Sequence, residues 1–236
     1  KKIFKKMLLP TFVLFVSCQN QLTTEKTGLL TDENVNLTPT LSIVESSVSS
    51  SYGLLSNSLN ILSNWNWNDG LVFQNDYVLQ DIASDDMQKK WQGDGDQPWI
   101  DEVDNFNFTS TNGGPNGTWK YDYAGISRCN QAIKILTIPN LETITGISTA
   151  RKNQLLAEVY FLRSFYYFSL VTNFGDVPLL LKPITDLKES FKIAVKATKE
   201  EVWNQIKSDL VLSKGLMPPG KYPSPSEKWR VSIGAI

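Results

Sequence analysis

The stretch AEVYFLRSFYYFSLVTNFGDVPLLL, residues 157–181, decides how this chain folds. Leu155, Val159, Leu162 and Tyr166 recur at i, i+4, i+7 and i+11, which sets them on one face of a helix. Phe161, Phe165 and Phe168 fill the flanks. Apolar surface is therefore expected round most of the circumference, as in a helix with neighbours on several sides. Ala157, Ser164 and Ser169 are small enough to let those neighbours approach. Gly175 adopts positive φ cheaply and Pro178 cannot continue a helix, so the helix stops and an extended segment follows. Arg163 on this buried helix needs a carboxylate such as Glu158 or Asp176, or a route to solvent.

Other helices flank this one. Thr38 is placed to cap the first, with Pro39 at its first helical position, where a missing N–H costs nothing. Its core face reads Leu41, Val44, Val48, Leu55, Leu59 and Leu62. A second spans about Gly117 to Leu136, with Trp119, Tyr123, Ile126 and Ile133 inward and Cys129 as a small buried hydrophobe. Another opens with the capping box Thr198-Lys199-Glu200-Glu201 and packs through Val202, Trp203, Ile206 and Leu210. Between the first two lies a loop-rich stretch, 64–116, punctuated by Gly70, Gly93, Gly95, Pro98, Gly113, Gly114 and Pro115.

The order of residues carries more than the periodicity. Ala157-Glu158, Leu162-Arg163, the paired aromatics and Phe174-Gly175-Asp176-Val177-Pro178 resemble the signature helix of the SusD/RagB family. SDDM (84–87), WKYDYAGISRCNQAI (119–133), VWNQIKSDL (202–210) and RVSIGAI (230–236) resemble further family motifs, in the family's order. GDQPWIDEVDNFNFT (95–109) fits its linking loop. The resemblance implies a mainly α, SusD-like fold of tetratricopeptide-type helical pairs carrying long ligand-binding loops. It also implies a chain about twice this length, so residues 39–236 would be an N-terminal helical domain, incomplete at its C-terminus.

Composition narrows the chemistry. With 236 residues, 41% hydrophobic and 20% charged, the chain can bury a substantial core. A formal net charge of −1 offers no basic face for nucleic acid. There is no histidine, which removes Ser-His-Asp and Cys-His nucleophilic sites and the commonest zinc ligand. No cofactor is expected.

The N-terminus reads as an address. Lys1, Lys2, Lys5 and Lys6 precede an apolar run from Met7 to Val16, too short to span a bilayer and suited to a secretory signal. Phe15-Val16-Ser17-Cys18 resembles a lipobox, although leucine is usual where Phe15 stands. Residues 1–17 are then a lipoprotein signal peptide, Cys18 the lipid-attachment site, and polar residues 18–38 a flexible tether. The competing reading is an ordinary secretory signal with an incidental cysteine. With Cys18 lipidated, Cys129 has no disulfide partner.

Candidate chemistry lies in the 64–116 stretch. Trp65, Trp67, Trp91 and Trp99 stand there among glycines and amides, and a ring on a loop is a platform for the apolar face of a sugar. Trp91 and Trp99 flank the GDGD turn and are the candidate ligand contacts; the alternative is that each indole plugs the loop onto the helices. Asp94 and Asp96 fit a calcium loop, but Pro98, Trp99 and Asn105 fill its fifth, sixth and twelfth positions, so no metal site is assigned. In SDDM, Asp85 or Asp86 is expected to cap a following turn. No carboxylate pair stands out as a glycosidase centre, and no catalytic residue is assigned. The resemblance implies a non-catalytic lipoprotein on the outer face of the outer membrane. It would bind oligosaccharide and deliver it to a SusC-like TonB-dependent transporter. A peptide-binding or purely scaffolding subunit is the alternative, and a glycoside hydrolase a more distant one.

Overall fold

The computed structural model describes residues 39–56, 75–89, 97–184, 191–219 and 225–236. The signal peptide, Cys18, the tether, Thr38, Leu59, Leu62, Trp65, Trp67, Trp91, Asp94 and Asp96 lie outside them. Helix α1 runs Leu41–Gly53. Its cap is Thr40, whose hydroxyl accepts the Ile43 N–H at 3.2 Å, so Pro39 precedes the cap instead of following it. Either threonine of the Thr-Pro-Thr run offers the same hydroxyl; Thr40 has the extended backbone of a cap, at φ −106° and ψ 160°. Val44 and Val48 are buried as their spacing predicts, whereas Leu41 and Leu55 are exposed and Leu54 is buried instead. The helix ends at Gly53 and tightens into the 3₁₀ turn Leu54–Ser56, and that change of pitch rotates Leu55 out of the stripe.

The stretch expected to be loop carries two short elements, a π-helical turn Tyr77–Ile82 and helix α2, Pro98–Asp104. Val78, Ile82, Trp99, Ile100 and Val103 close a small core of their own between them. Helix α3 runs Gly113–Leu136, starting earlier than Gly117 because Asn112 Oδ1 caps the Gly114 N–H at 2.9 Å. Pro115 falls in the first turn, where its missing donor has no partner to lose. Ile126 and Cys129 are buried; Trp119, Tyr123 and Ile133 pack at the core margin, while Tyr121, Ala132 and Ile135 fill its centre. Burial pushes the Cys129 thiol up to about 12, leaving it inert.

After the short helix α4, Leu141–Thr145, comes α5, Thr149–Phe174, about 39 Å long at 1.5 Å per residue. Leu155, Val159, Leu162 and Tyr166 are all buried, and Gly175 ends the helix at φ 74°. Beyond it, Pro178 forms an isolated antiparallel bridge with Lys196. The apolar flank is less enclosed than expected: Phe165 and Phe168 are exposed. Helix α6, Lys199–Leu216, carries the full Thr198–Glu201 capping box. Val202 and Ile206 face inward, while Trp203 turns outward, 38% exposed, with its ring edge-on to Phe168 at 5.8 Å.

Helices α3, α5 and α6 pack in sequence, with α1 across α3 and α5. Small residues set the close approaches. A Cβ on Gly125 of α3 would fall 2.5 Å from the ring of Tyr166, whose hydroxyl donates to the Ser51 carbonyl at 2.7 Å. One tyrosine thus joins α5 to α3 and α1. On the other side, the Ser213 hydroxyl of α6 donates to the Ala157 carbonyl at 2.7 Å.

Buried charges complete the frame. Arg163 pairs with neither Glu158 nor Asp176 but with Asp209 of α6, and its Nη1 donates to Asn130 of α3 at 2.9 Å. Glu158 instead receives Arg230 at 2.7 Å, the Tyr52 hydroxyl at 2.9 Å and the Gln154 amide at 2.9 Å. Asp176 accepts the Lys199 N–H at 2.8 Å and so helps start α6.

Candidate ligand-binding site

The site is built on the entry to α3. Gln97 takes a left-handed conformation, φ 52°, and Pro98 then opens α2 with its φ already helical. This sends the Trp99 ring onto Gly114, where an added Cβ would meet the indole at 3.1 Å. The indole N–H donates to Gln97 Oε1 at 2.5 Å. Asn112 fastens the same joint, its amide donating to the Trp99 carbonyl at 2.9 Å and to Glu102 Oε2 at 2.7 Å. Trp99 is accordingly only 6% exposed: its body seals α2 against α3, and its margin lines a cleft of about 300 Å³ with Glu102, Asn107, Thr109, Thr111 and Asn112.

A turn follows that the sequence does not advertise. Helix α2 closes with the Phe106 N–H on the Val103 carbonyl at 3.1 Å and the Asn107 N–H on the Glu102 carbonyl at 2.8 Å. This is a Schellman closure, and the residue in its left-handed position, φ 53°, is Phe106 in place of the usual glycine. Phe106 is 71% exposed and Phe108 42%. Beyond them the hydroxyls of Thr109 and Thr111 lie 2.8 Å apart, and the Asn116 amide donates to the carbonyls of Ser110 at 3.0 Å and Asn112 at 3.1 Å.

A second cleft, of about 440 Å³, opens where this turn meets the ends of α3 and α5. Phe108, Thr109, Asn116, Trp119, Asn173 and Phe174 line it, and no charged side chain does so among the described residues. Trp119 and Phe174 meet edge-to-face at 5.2 Å, which holds both rings in place. The two clefts share Thr109. Sequence reading selected Trp91 and Trp99 as ligand contacts, read Trp119 and Phe174 as scaffold, and passed over Phe108, Asn116 and Asn173. Phe106 and Phe108 look like ordinary core aromatics until the turn conformation is known.

The neighbouring acids serve the scaffold. Asp101 accepts the Lys89 ammonium at 2.8 Å and Asp104 the Lys89 N–H at 3.1 Å. In SDDM the side-chain cap comes from Ser84, whose hydroxyl accepts the Asp86 N–H at 3.2 Å, and not from either aspartate. Among the described residues no group of His, Cys, Asp or Glu is arranged to hold a metal ion. Asp122, on α3, is fully buried; desolvation pushes its carboxyl up to about 8, with a lowering influence from Ser169 and a further rise from Asp76. Asp122 lines neither cleft. No described helix is long and apolar enough to cross a membrane.

Known proteins share this fold. A SusD-like family, described as starch-binding and associating with the outer membrane, matches residues 38–231. SusD-like protein P2 of Formosa agariphila is 32% identical over 121 residues, covering 51% of this chain and 23% of that protein. Among solved structures, a laminarin-binding SusD-like protein aligns over 83% of this chain and 38% of its own, at 24% identity and a TM-score of 0.65. Surface glycan-binding protein A of Bacteroides thetaiotaomicron, in complex with laminarihexaose, aligns over 83% and 37%, at 21% identity and a TM-score of 0.63. The chain thus spans about a quarter of the curated relative and little over a third of these structures. At these identities the structures speak for the fold, which is the tetratricopeptide-like helical one. With the family match covering most of the chain, the protein belongs to the SusD-like family.

Proposed function

We propose that this chain is the N-terminal part of a non-catalytic, lipid-anchored surface protein that captures oligosaccharide. It would pass its cargo to a SusC-like TonB-dependent transporter in the outer membrane. One observation carries the reading: the family scaffold presents, at the entry to α3, surface clefts lined by aromatic rings, amides and hydroxyls, with Glu102 as their one charged side chain among the described residues. Such a lining suits a neutral polyhydroxylated ligand, whose apolar ring faces meet the aromatics and whose hydroxyls meet the amides. In this reading Cys18 carries the lipid and residues 18–38 let the domain reach past the membrane surface. Trp91 contributes a ring from the loop, while Trp99 acts from beneath by fixing the cleft wall. Relatives named for laminarin, one of them complexed with laminarihexaose, make that oligosaccharide the first probe.

Calorimetric titration of the full-length mature protein with laminarihexaose and maltohexaose tests the proposal. Saturable binding without release of reducing ends is expected. Release of reducing ends would overturn the non-catalytic assignment. Absence of glycan binding, with tight association to a co-expressed transporter, would favour a scaffolding or peptide-carrying subunit.

A further inference from the structure

We infer that the cleft between the 106–110 turn and the ends of α3 and α5 is a subsite for one neutral sugar residue, adjoining the Trp99 cleft along the same oligosaccharide. The inference rests on the glycan-binding reading above and adds to it a place and a chemistry.

Size comes first. At about 440 Å³ the cleft falls within the range of small-molecule sites, roughly 300–1,000 Å³. Its lining is the second point. Phe108 is left 42% exposed on the rim, and a large ring in that position is expensive to hydrate unless something covers it. Trp119 and Phe174 form the wall, locked edge-to-face and half-buried against the main core. A sugar ring laid between Phe108 and that wall would cover apolar surface on both of its faces.

The polar groups point the same way. Asn173 gives its amide N–H to the Ser169 carbonyl at 2.9 Å, and Asn116 gives its own to Ser110 and Asn112. Both side chains are therefore held in place, while their Oδ1 atoms accept no donor among the described residues. Fixed amide oxygens beside exposed rings are acceptors ready for ligand hydroxyls, with little ordering left to do on binding. Thr109 links this cleft to the one beside Trp99, so consecutive residues of one chain can occupy both.

Charge decides the ligand class. Among the described residues no Lys, Arg, Asp or Glu lines the cleft, so a carboxylated sugar or a charged peptide side chain would lose its hydration without gaining a partner. The subsite is accordingly one for neutral sugars.

The test uses the full-length mature protein and its Phe108→Ala and Asn173→Ala variants, titrated with laminarihexaose, maltohexaose and an oligogalacturonate. Phe108 is exposed and Asn173, among the described residues, bonds only within its own helix, so both variants should keep the wild-type melting temperature. Each is expected to lose about tenfold in affinity for the neutral hexaose that the wild type binds, the loss one good contact or hydrogen bond supplies. Wild-type affinity in both variants overturns the subsite and leaves the glycan-binding reading standing. Failure of the wild-type protein to bind either neutral hexaose overturns both. Oligogalacturonate binding that is weakened equally by the same substitutions overturns the restriction to neutral sugars.

Discussion

Arg163 and Asp209 form a two-pronged ion pair across the α5–α6 interface, with Nε on Oδ2 at 2.8 Å and Nη2 on Oδ1 at 2.7 Å. Both are buried, and neither stands alone: Gln205 also donates to Asp209 at 2.9 Å, and Asn130 links Arg163 to the Leu180 carbonyl through its own amide at 2.7 Å. A single guanidinium thus organises α3, α5, α6 and the segment after Gly175. Removing one partner strands a buried charge, so Asp209→Ala is expected to cost about 3–5 kcal/mol in urea denaturation. The double variant Arg163→Met with Asp209→Leu should cost clearly less than the sum of the single changes. Additive losses would show that the pair is not coupled.

Gly125 is where α5 comes closest to α3. Alanine in place of glycine inside a helix ordinarily stabilises by up to about 1 kcal/mol. Here the added methyl meets the Tyr166 ring, which cannot retreat because its hydroxyl is held by Ser51. Gly125→Ala is therefore expected to destabilise by about 1–3 kcal/mol, the usual range for overpacking. Chemical denaturation decides the sign.

Asp122 makes stability depend on pH in a particular direction. Its carboxyl sits near 8 in the fold against an ordinary value of 3.8, so the folded state favours the protonated form. That contribution is fully present below the unfolded value and is lost progressively as pH rises from about 4 to 8. Asp122→Asn keeps the shape without the charge. It should stabilise at pH 8 by on the order of 5 kcal/mol and have little effect near pH 4. Parallel denaturation curves for the two proteins between pH 4 and 8 check this; a constant difference would sink it.

Phe106 holds a left-handed backbone that glycine adopts at no steric cost. Its ring is largely exposed, so little packing is lost on truncation. Phe106→Gly should stabilise the protein by about 0.5–1 kcal/mol, the left-handed penalty less the added freedom of the unfolded chain. A rise in melting temperature is the expected outcome. A fall would mean that the ring packs in solution.

Several local signals in the sequence held because the physics behind them is local, although the caps of the first helix and of SDDM fell on Thr40 and Ser84 instead of Thr38 and an aspartate. The stripe Leu155, Val159, Leu162 and Tyr166 follows from helical pitch alone, and it is buried. Gly175 stops α5 at positive φ because only its missing Cβ makes that turn cheap. The Thr198–Glu201 box forms because both partners lie within one turn of each other. With the ordered motifs, these were enough to place the chain among SusD-like helical proteins.

Where the deciding contact lies far along the chain, the sequence offers candidates and the tertiary structure chooses. Arg163 had Glu158 and Asp176 nearby, yet its partner is Asp209 on the helix that packs beside it, while Glu158 is claimed by Arg230. Trp203 follows the same stripe as Val202 but turns outward, since α5 meets only part of the α6 circumference. At the candidate site, Trp99 was singled out for its ring and proved to be mostly a seal, whereas Phe108 and Asn173, 65 residues apart by number, share one cleft. Helical period is set by neighbours within a turn or so, so the sequence alone could state it, whereas the choice between adjacent cap residues was settled only in the fold. Which ring stays exposed, and which acid meets a buried arginine, depends on how the helices cross, and only the assembled fold decides that.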